Sequence, residues 1–159
     1  TVIIPRHIER CKEIKSLRSQ YNINSQVLGK DEKIQSEIDV VIINSFGVLN
    51  EYFKFCKSVF IGKSLLKRLK KVGGQNPIEA AKLGCKIYHG PYVSNFSEIY
   101  DLFKTYDISE EIKDEEDLFN KLKADFENLK PKKDIKKKSI DELGREILDN
   151  SLKEIIKFL

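Results

Sequence analysis

Short apolar runs rich in Val and Ile alternate along the chain with longer stretches whose apolar positions recur every three or four residues. The runs are Val2-Ile3-Ile4, Gln26-Val27-Leu28, Val40 to Ile43, Val59-Phe60-Ile61 and Lys86-Ile87-Tyr88. Brief, nearly continuous apolar runs of this kind are strands buried on both faces, and their alternation with helical segments is the βα order of a parallel sheet. The pattern predicts an α/β fold: a Rossmann-like parallel sheet with helices on both faces.

The helical stretches have distinct characters. Arg6 to Tyr21 is rich in charge, whereas Val48, Leu49, Tyr52, Phe53 and Cys56 make a stripe that reads as a core face. Phe96, Ile99, Leu102 and Phe103 give Asn95 to Tyr106 the same spacing, and Leu118, Leu122, Phe126 and Leu129 do so for Asp114 to Leu129. Asp114 is placed to cap that last segment, with acids in its first turn and lysines later, as the helix dipole favours. Residues 130–138 read as a basic connector containing Pro131. A final helix is expected over 139–159, its apolar face made by Ile140, Leu143, Ile147, Ile155 and Leu159. The whole of 1–159 is expected to form a single domain.

Composition narrows the function classes. With 159 residues, 40% of them hydrophobic, the chain can bury one core. Its longest apolar runs fall far short of the roughly 20 residues needed to cross a bilayer, so the piece is expected to be soluble. Thr1-Val2-Ile3-Ile4 runs into Pro5 with no charged leader, as though the chain opens inside a strand. Cys11, Cys56 and Cys85 are widely separated and lie in apolar-periodic segments, the pattern of reduced, buried thiols. With only His7 and His89 beside them, no metal site is expected. The net charge of +4 hides a segregation into an acidic stretch, Asp107 to Asp125, and two basic ones, Lys63 to Lys71 and Lys130 to Lys138. No aromatic stacking motif accompanies the lysines, so nucleic acid is not an expected partner.

Parallel sheets bind ligands at the carboxyl ends of their strands, where loops lead into helix N-termini. Pro5 and Arg6 follow the first run, and the Arg6 guanidinium suits a phosphate or a base edge, or simply opens a helix at the surface. Asn44-Ser45-Phe46-Gly47 follows the third run: Ser45 suits a cap, and Gly47 leaves room for an anion at free N–H groups. In Gly73-Gly74-Gln75-Asn76-Pro77-Ile78-Glu79, Asn76 suits an N-cap, Pro77 the first helical position and Glu79 the return half of a capping box. The glycine pair equally allows a ligand to approach the backbone, and the Glu79 carboxylate can take a ribose diol. Gly90-Pro91 opens a further loop, closed by Asn95-Phe96. His89 beside it reads as a packed or hydrogen-bonded residue ahead of a general base.

Taken in order, these segments resemble one family. Pro5-Arg6-His7-Ile8-Glu9-Arg10 is similar to the PRHPER motif of the 3-deoxy-D-manno-octulosonic acid (Kdo) transferases, and Ser45-Phe46-Gly47-Val48-Leu49 to their TMGEL turn. Residues Gly73 to Ala81 resemble their GGHNPLEPA stretch and Gly90 to Phe96 their GPHTFNF, so the resemblance runs from residue 1 to about 105. It implies the C-terminal, donor-binding half of a two-domain GT-B glycosyltransferase. Such an enzyme moves Kdo from CMP-Kdo to a lipid A precursor in lipopolysaccharide biosynthesis, without metal, at the cytoplasmic face of the bacterial inner membrane.

The implied CMP contacts are Pro5, Arg6, Phe46, Gly47, Val48, Asn76, Pro77, Ile78 and Glu79, with Gly73, Gly74, Gly90 and Asn95 in the donor loops. The phosphate is expected at Gly47, the ribose at Glu79 and the base near Pro5 and Arg6. Three departures stand out: Ile8 replaces a proline, Asn44 an aspartate, and Val48 the glutamate of the turn. About four extra residues lie between Ser64 and Gly73, and their cations Lys67, Arg68, Lys70 and Lys71 suit an acidic donor or a phosphorylated lipid, or form only a solvated loop. The family's catalytic acid belongs to its N-terminal domain, so no catalytic residue is expected in this chain. Two other readings stay open: a GT-B transferase of a UDP-sugar, and a non-enzymatic module that binds nucleotide or docks on membranes.

Overall fold

The computed structural model describes residues 1–128, and the expected connector, the final helix and Leu129 lie outside them. The elements are β1 (Val2–Ile3), α1 (Cys11–Ser19), β2 (Ser25–Leu28), β3 (Val40–Ile43), α2 (Leu49–Phe53), β4 (Ser58–Ile61), α3 (Ile78–Lys82), β5 (Lys86–His89), α4 (Ser97–Thr105), β6 (Ser109–Glu111) and α5 (Glu115–Glu127). Each of the five expected strands is present within a residue or two.

The strands form two three-stranded parallel sheets, ordered β1-β3-β2 and β4-β5-β6, in place of one continuous sheet. Among the described residues β1 pairs only with β3, through Val2↔Val41 and Ile3↔Ile42, and β4 only with β5, so no ladder joins the two sets. The chain divides into two compact units at the same place, Thr1–Leu49 and from Asn50 onward.

Each unit is built around its central strand. In the first, Val41, Ile42 and Ile43 of β3 are buried, with Leu28 of β2 and Cys11 of α1. The Cys11 thiol donates to the Ile43 carbonyl at 3.5 Å, and burial raises its pKa. In the second, Ile87 and Tyr88 of β5 are fully buried, and Phe53, Ile61, Ala80, Ala81, Tyr100, Phe103 and Ile108 pack into one cluster with Ile87. Fully burying a side chain of the Ile or Phe class contributes about 1.5–3 kcal/mol.

Several elements depart from their sequence pattern for identifiable reasons. Strand β6 reads Ser-Glu-Glu and carries no apolar run, yet Ile108 and Ile112 on either side of it are buried and pin it beside β5. Helix α1 begins at Cys11 and not Arg6, because His7 is extended (φ −116°, ψ 112°) and Ile8–Arg10 form a 3₁₀ turn. Helix α2 has only five residues, so of the stripe expected there Phe53 is buried while Leu49 is exposed. Asp114 caps α5 as expected, accepting from the Asp117 N–H at 2.8 Å. Phe126 of the same helix is exposed, not in the core. That helix is fastened through Asp125, which accepts from the Tyr88 hydroxyl at 2.9 Å and from Ser58, and through Lys121, which pairs with Glu110.

Candidate functional site

The predicted site residues fall on the carboxyl ends of strands in both units. In the first unit β1 and β3 are parallel neighbours in register, so Pro5 and Arg6 leave the same sheet edge as the turn after Ile43. Pro5 is half-buried and Arg6 exposed. Gly47 has φ +76°, a left-handed conformation that favours glycine, and a Cβ built on it meets nothing within 4 Å. Phe46 beside it is 68% exposed and Val48 half-buried. The turn is open to solvent, and α2 begins two residues beyond Gly47, at Leu49.

The second unit presents a different construction. Its loops after β4 and β5 leave one edge together, since Ile61 is in register with His89. They are tied by backbone bonds: Gly74 N to Lys63 O at 2.9 Å, Tyr92 N to Ser64 O at 2.8 Å and Asn95 N to Gly73 O at 3.2 Å. Side chains add to the lock. The fully buried Ser64 hydroxyl donates to Ile61 O at 2.6 Å and accepts from Gly90 N at 2.9 Å. Asn95 Nδ2 donates to Val72 O at 3.2 Å, Ser94 Oγ to Lys70 O at 3.1 Å, and Tyr100 Oη to Gln75 O at 3.0 Å.

Here the glycines serve loop packing and not the approach of a ligand to their Cα atoms. A Cβ on Gly73 would lie 2.2 Å from Tyr92 O, one on Gly74 2.9 Å from Val93 Cα, and one on Gly90 2.4 Å from Ser64 O. Close backbone contact fills the space that the sequence left open for a ligand.

In the next segment α3 begins at Ile78 with Pro77 at its N-cap, one residue later than expected, and Asn76 forms a turn ahead of it, its Oδ1 accepting from the Ile78 N–H at 2.9 Å. Pro77 is buried below 2% exposure and packs inside, while Ile78 is half-buried. Among the described residues no hydrogen bond returns from Glu79 to the Asn76 N–H, so the capping box is not closed. The Glu79 carboxylate is half exposed and lies 3.9 Å from Lys82 Nζ, a weak surface pair.

His89 at the end of β5 is 5% exposed. Its Nδ1–H donates to Gly90 O at 2.8 Å and its ring packs on Tyr100 with centroids 4.3 Å apart. Burial holds its pKa below the ordinary value, favouring the neutral form. It is a packed, hydrogen-bonded histidine.

A pocket of about 490 Å³ opens elsewhere, along the side of β2, lined by Lys15, Ser25, Gln26, Val27, Glu32, Lys33 and Gln35. It contains none of the predicted site residues, and it flanks an edge strand instead of facing the carboxyl ends. Among the described residues no group of three or more His, Cys, Asp or Glu side chains is placed to hold a metal ion. No helix among them is long and apolar enough to cross a membrane.

Comparison with known proteins gives these positions a context. The chain is 27% identical over 158 residues to the 3-deoxy-D-manno-octulosonic acid transferase of Aquifex aeolicus, covering 99% of this chain and 40% of that protein. It is 31% identical over 166 residues to the transferase of the same name from Rickettsia bellii, covering 99% of this chain and 37% of the relative. Over 99% of its length the chain is similar to Kdo transferases.

It spans well under half the length of these relatives. The fold agrees: the crystal structure of the C-terminal CMP-Kdo binding domain of WaaA from Acinetobacter baumannii superposes with a TM-score of 0.69 at 24% identity, over 77% of this chain and 62% of that one. That likeness shows that the two share an α/β fold. No protein-family model matches the chain.

Proposed function

We propose that this chain is the donor-binding part of a Kdo transferase. The intact enzyme would move Kdo from CMP-Kdo to a lipid A precursor at the cytoplasmic face of the inner membrane, by a route that needs no metal. The observation that carries the reading is the order of four segments: each Kdo-transferase-like motif follows a strand, at the end where parallel sheets bind ligands.

The residues suit distinct parts of a cytidine monophosphate. Gly47 and the N–H groups of its open turn suit the phosphate, with Phe46 and Val48 flanking it. Arg6, next to Pro5, offers a planar cation for the base or the phosphate. Glu79, free of the capping task, offers a carboxylate acceptor to a ribose diol, with Asn76, Pro77 and Ile78 shaping the approach. Gly73, Gly74, Gly90 and Asn95 act one step back, by fixing the loops that carry that segment. The catalytic acid comes from another domain, so this chain by itself would bind donor without transferring sugar, and 1–159 would act as one binding domain.

Titration calorimetry tests this. CMP is expected to bind more tightly than UDP, and Arg6→Ala and Glu79→Gln each to weaken CMP by about 1.5–3 kcal/mol, the cost of losing a charge-assisted hydrogen bond. Tighter binding of UDP, or unchanged affinity in both variants, removes the reading. Fusion to the N-terminal domain of a relative should restore Kdo transfer. A folded fusion that never transfers would point to a docking module instead.

A further inference from the structure

Between Tyr52 and Ile78 the chain contains seven cations and no acidic residue, and five of the seven lie in the loop Lys63 to Val72 that follows β4. A 3₁₀ turn at Lys67–Leu69, with Leu69 N bonded to Leu66 O at 2.8 Å and Val72 N to Leu69 O at 3.0 Å, gives this loop a defined shape. Leu69 is half-buried, while Lys67, Arg68, Lys70 and Lys71 are exposed. Among the described residues none of these four cations takes part in an ion pair within 4.0 Å. The loop bonded to it, Gly90 to Asn95, holds no acid either. At its ends Leu66 and Val72 are each 50% exposed.

A solvated loop gains nothing from two half-exposed aliphatic side chains bracketing four unneutralised cations. Nor does a nucleic-acid contact, which would want aromatic side chains between the cations, and Leu66 to Val72 contains none. Cations that meet headgroup phosphates, with aliphatic side chains that enter the acyl boundary, are the two halves of an interfacial lipid contact. We infer that the loop Leu66 to Val72 docks this domain on an anionic lipid surface. The contact is independent of nucleotide binding, since it uses none of the residues assigned to the donor.

The full chain is tested by co-sedimentation with phosphatidylcholine vesicles, with and without phosphatidylglycerol. Binding is expected only with phosphatidylglycerol, and it should fall as salt is raised. Each cation near an anionic surface is worth about fivefold in partitioning, so the combined Lys67→Ser, Arg68→Ser, Lys70→Ser, Lys71→Ser variant should lose about 600-fold. The chain has no tryptophan, so Leu66→Trp gives a single reporter whose emission should shift to the blue on anionic vesicles alone. That reporter decides the matter should the fourfold variant fail to fold. Unchanged sedimentation of a folded fourfold variant overturns the proposal, as does an unshifted Leu66→Trp emission. A single-stranded RNA that displaces the vesicles and needs the same four cations also overturns it, by assigning the loop to nucleic acid. CMP affinity of the fourfold variant, measured alongside, should be unchanged, which keeps this outcome separate from that of the donor site.

Discussion

A Cβ built on Gly47 meets nothing within 4 Å, whereas one built on Gly90 comes within 2.4 Å of Ser64 O and one on Gly73 within 2.2 Å of Tyr92 O. The motifs around these glycines look alike in sequence, since each follows a strand and precedes a helix. Their physical reasons differ. Gly47 is glycine because its backbone is left-handed, and the space around it remains free for another molecule. Gly73 and Gly90 are glycine because two loops of the protein touch through them. Under the proposed function the first region would be a place to bind, and the second a clamp that holds a binding segment still. Preorganisation of that kind reduces the ordering cost a ligand must offset.

Substitution at the clamp should have the largest effect. Gly90→Ala forces a methyl into backbone that cannot yield cheaply, and about 3 kcal/mol of stability should be lost in urea unfolding, with Gly73→Ala similar. A loss below that of Gly47→Ala would break the distinction. At Gly47 the same substitution meets only the left-handed backbone, costing about 1 kcal/mol of stability. Its CMP affinity should fall by more than its stability does, since the methyl enters the space assigned to the phosphate. Asn95→Ala releases one exposed bond of the clamp, to Val72 O, and should cost roughly 0.5–1 kcal/mol.

The smallest effect concerns pH. His89 sits inside the clamp, bonded to Gly90 O, with Glu111 opposite it in the β5–β6 register and Lys104 and Asp101 also acting on it. Burial lowers its pKa, so the unfolded chain takes up a proton before the folded one does. Stability is then full above the ordinary histidine value of 6.5 and declines as pH falls below it. His89→Gln should flatten that part of a stability–pH profile, and an unaltered slope would place the titration elsewhere.

Strands were legible wherever Val, Ile and Phe run together, as in Val40 to Ile43, where three residues are buried, and Val59 to Ile61, where Ile61 is. Strand β6 was not, because Ser109-Glu110-Glu111 owes its place to Ile108 and Ile112 beside it and to the Lys86 and Lys121 partners of Glu110. The division into two sheets is a matter of which strands pair, and a run of apolar residues carries no record of its partner. The motif segments do follow strands, as their order implied, but a motif carries no record of the role of each residue. Glycine is required equally by a bound ligand and by a neighbouring loop, and only coordinates separate the two. Glu79 shows the converse: its spacing from Asn76 fits a capping box, while its carboxylate is half exposed, 3.9 Å from Lys82 Nζ.

Calorimetric titration of CMP and UDP into the wild-type chain, Arg6→Ala and Glu79→Gln tests the central claim most directly. Preference for CMP, with a loss of about 1.5–3 kcal/mol in each variant, is the predicted result. Preference for UDP, or variants that bind CMP as the wild type does, would contradict it.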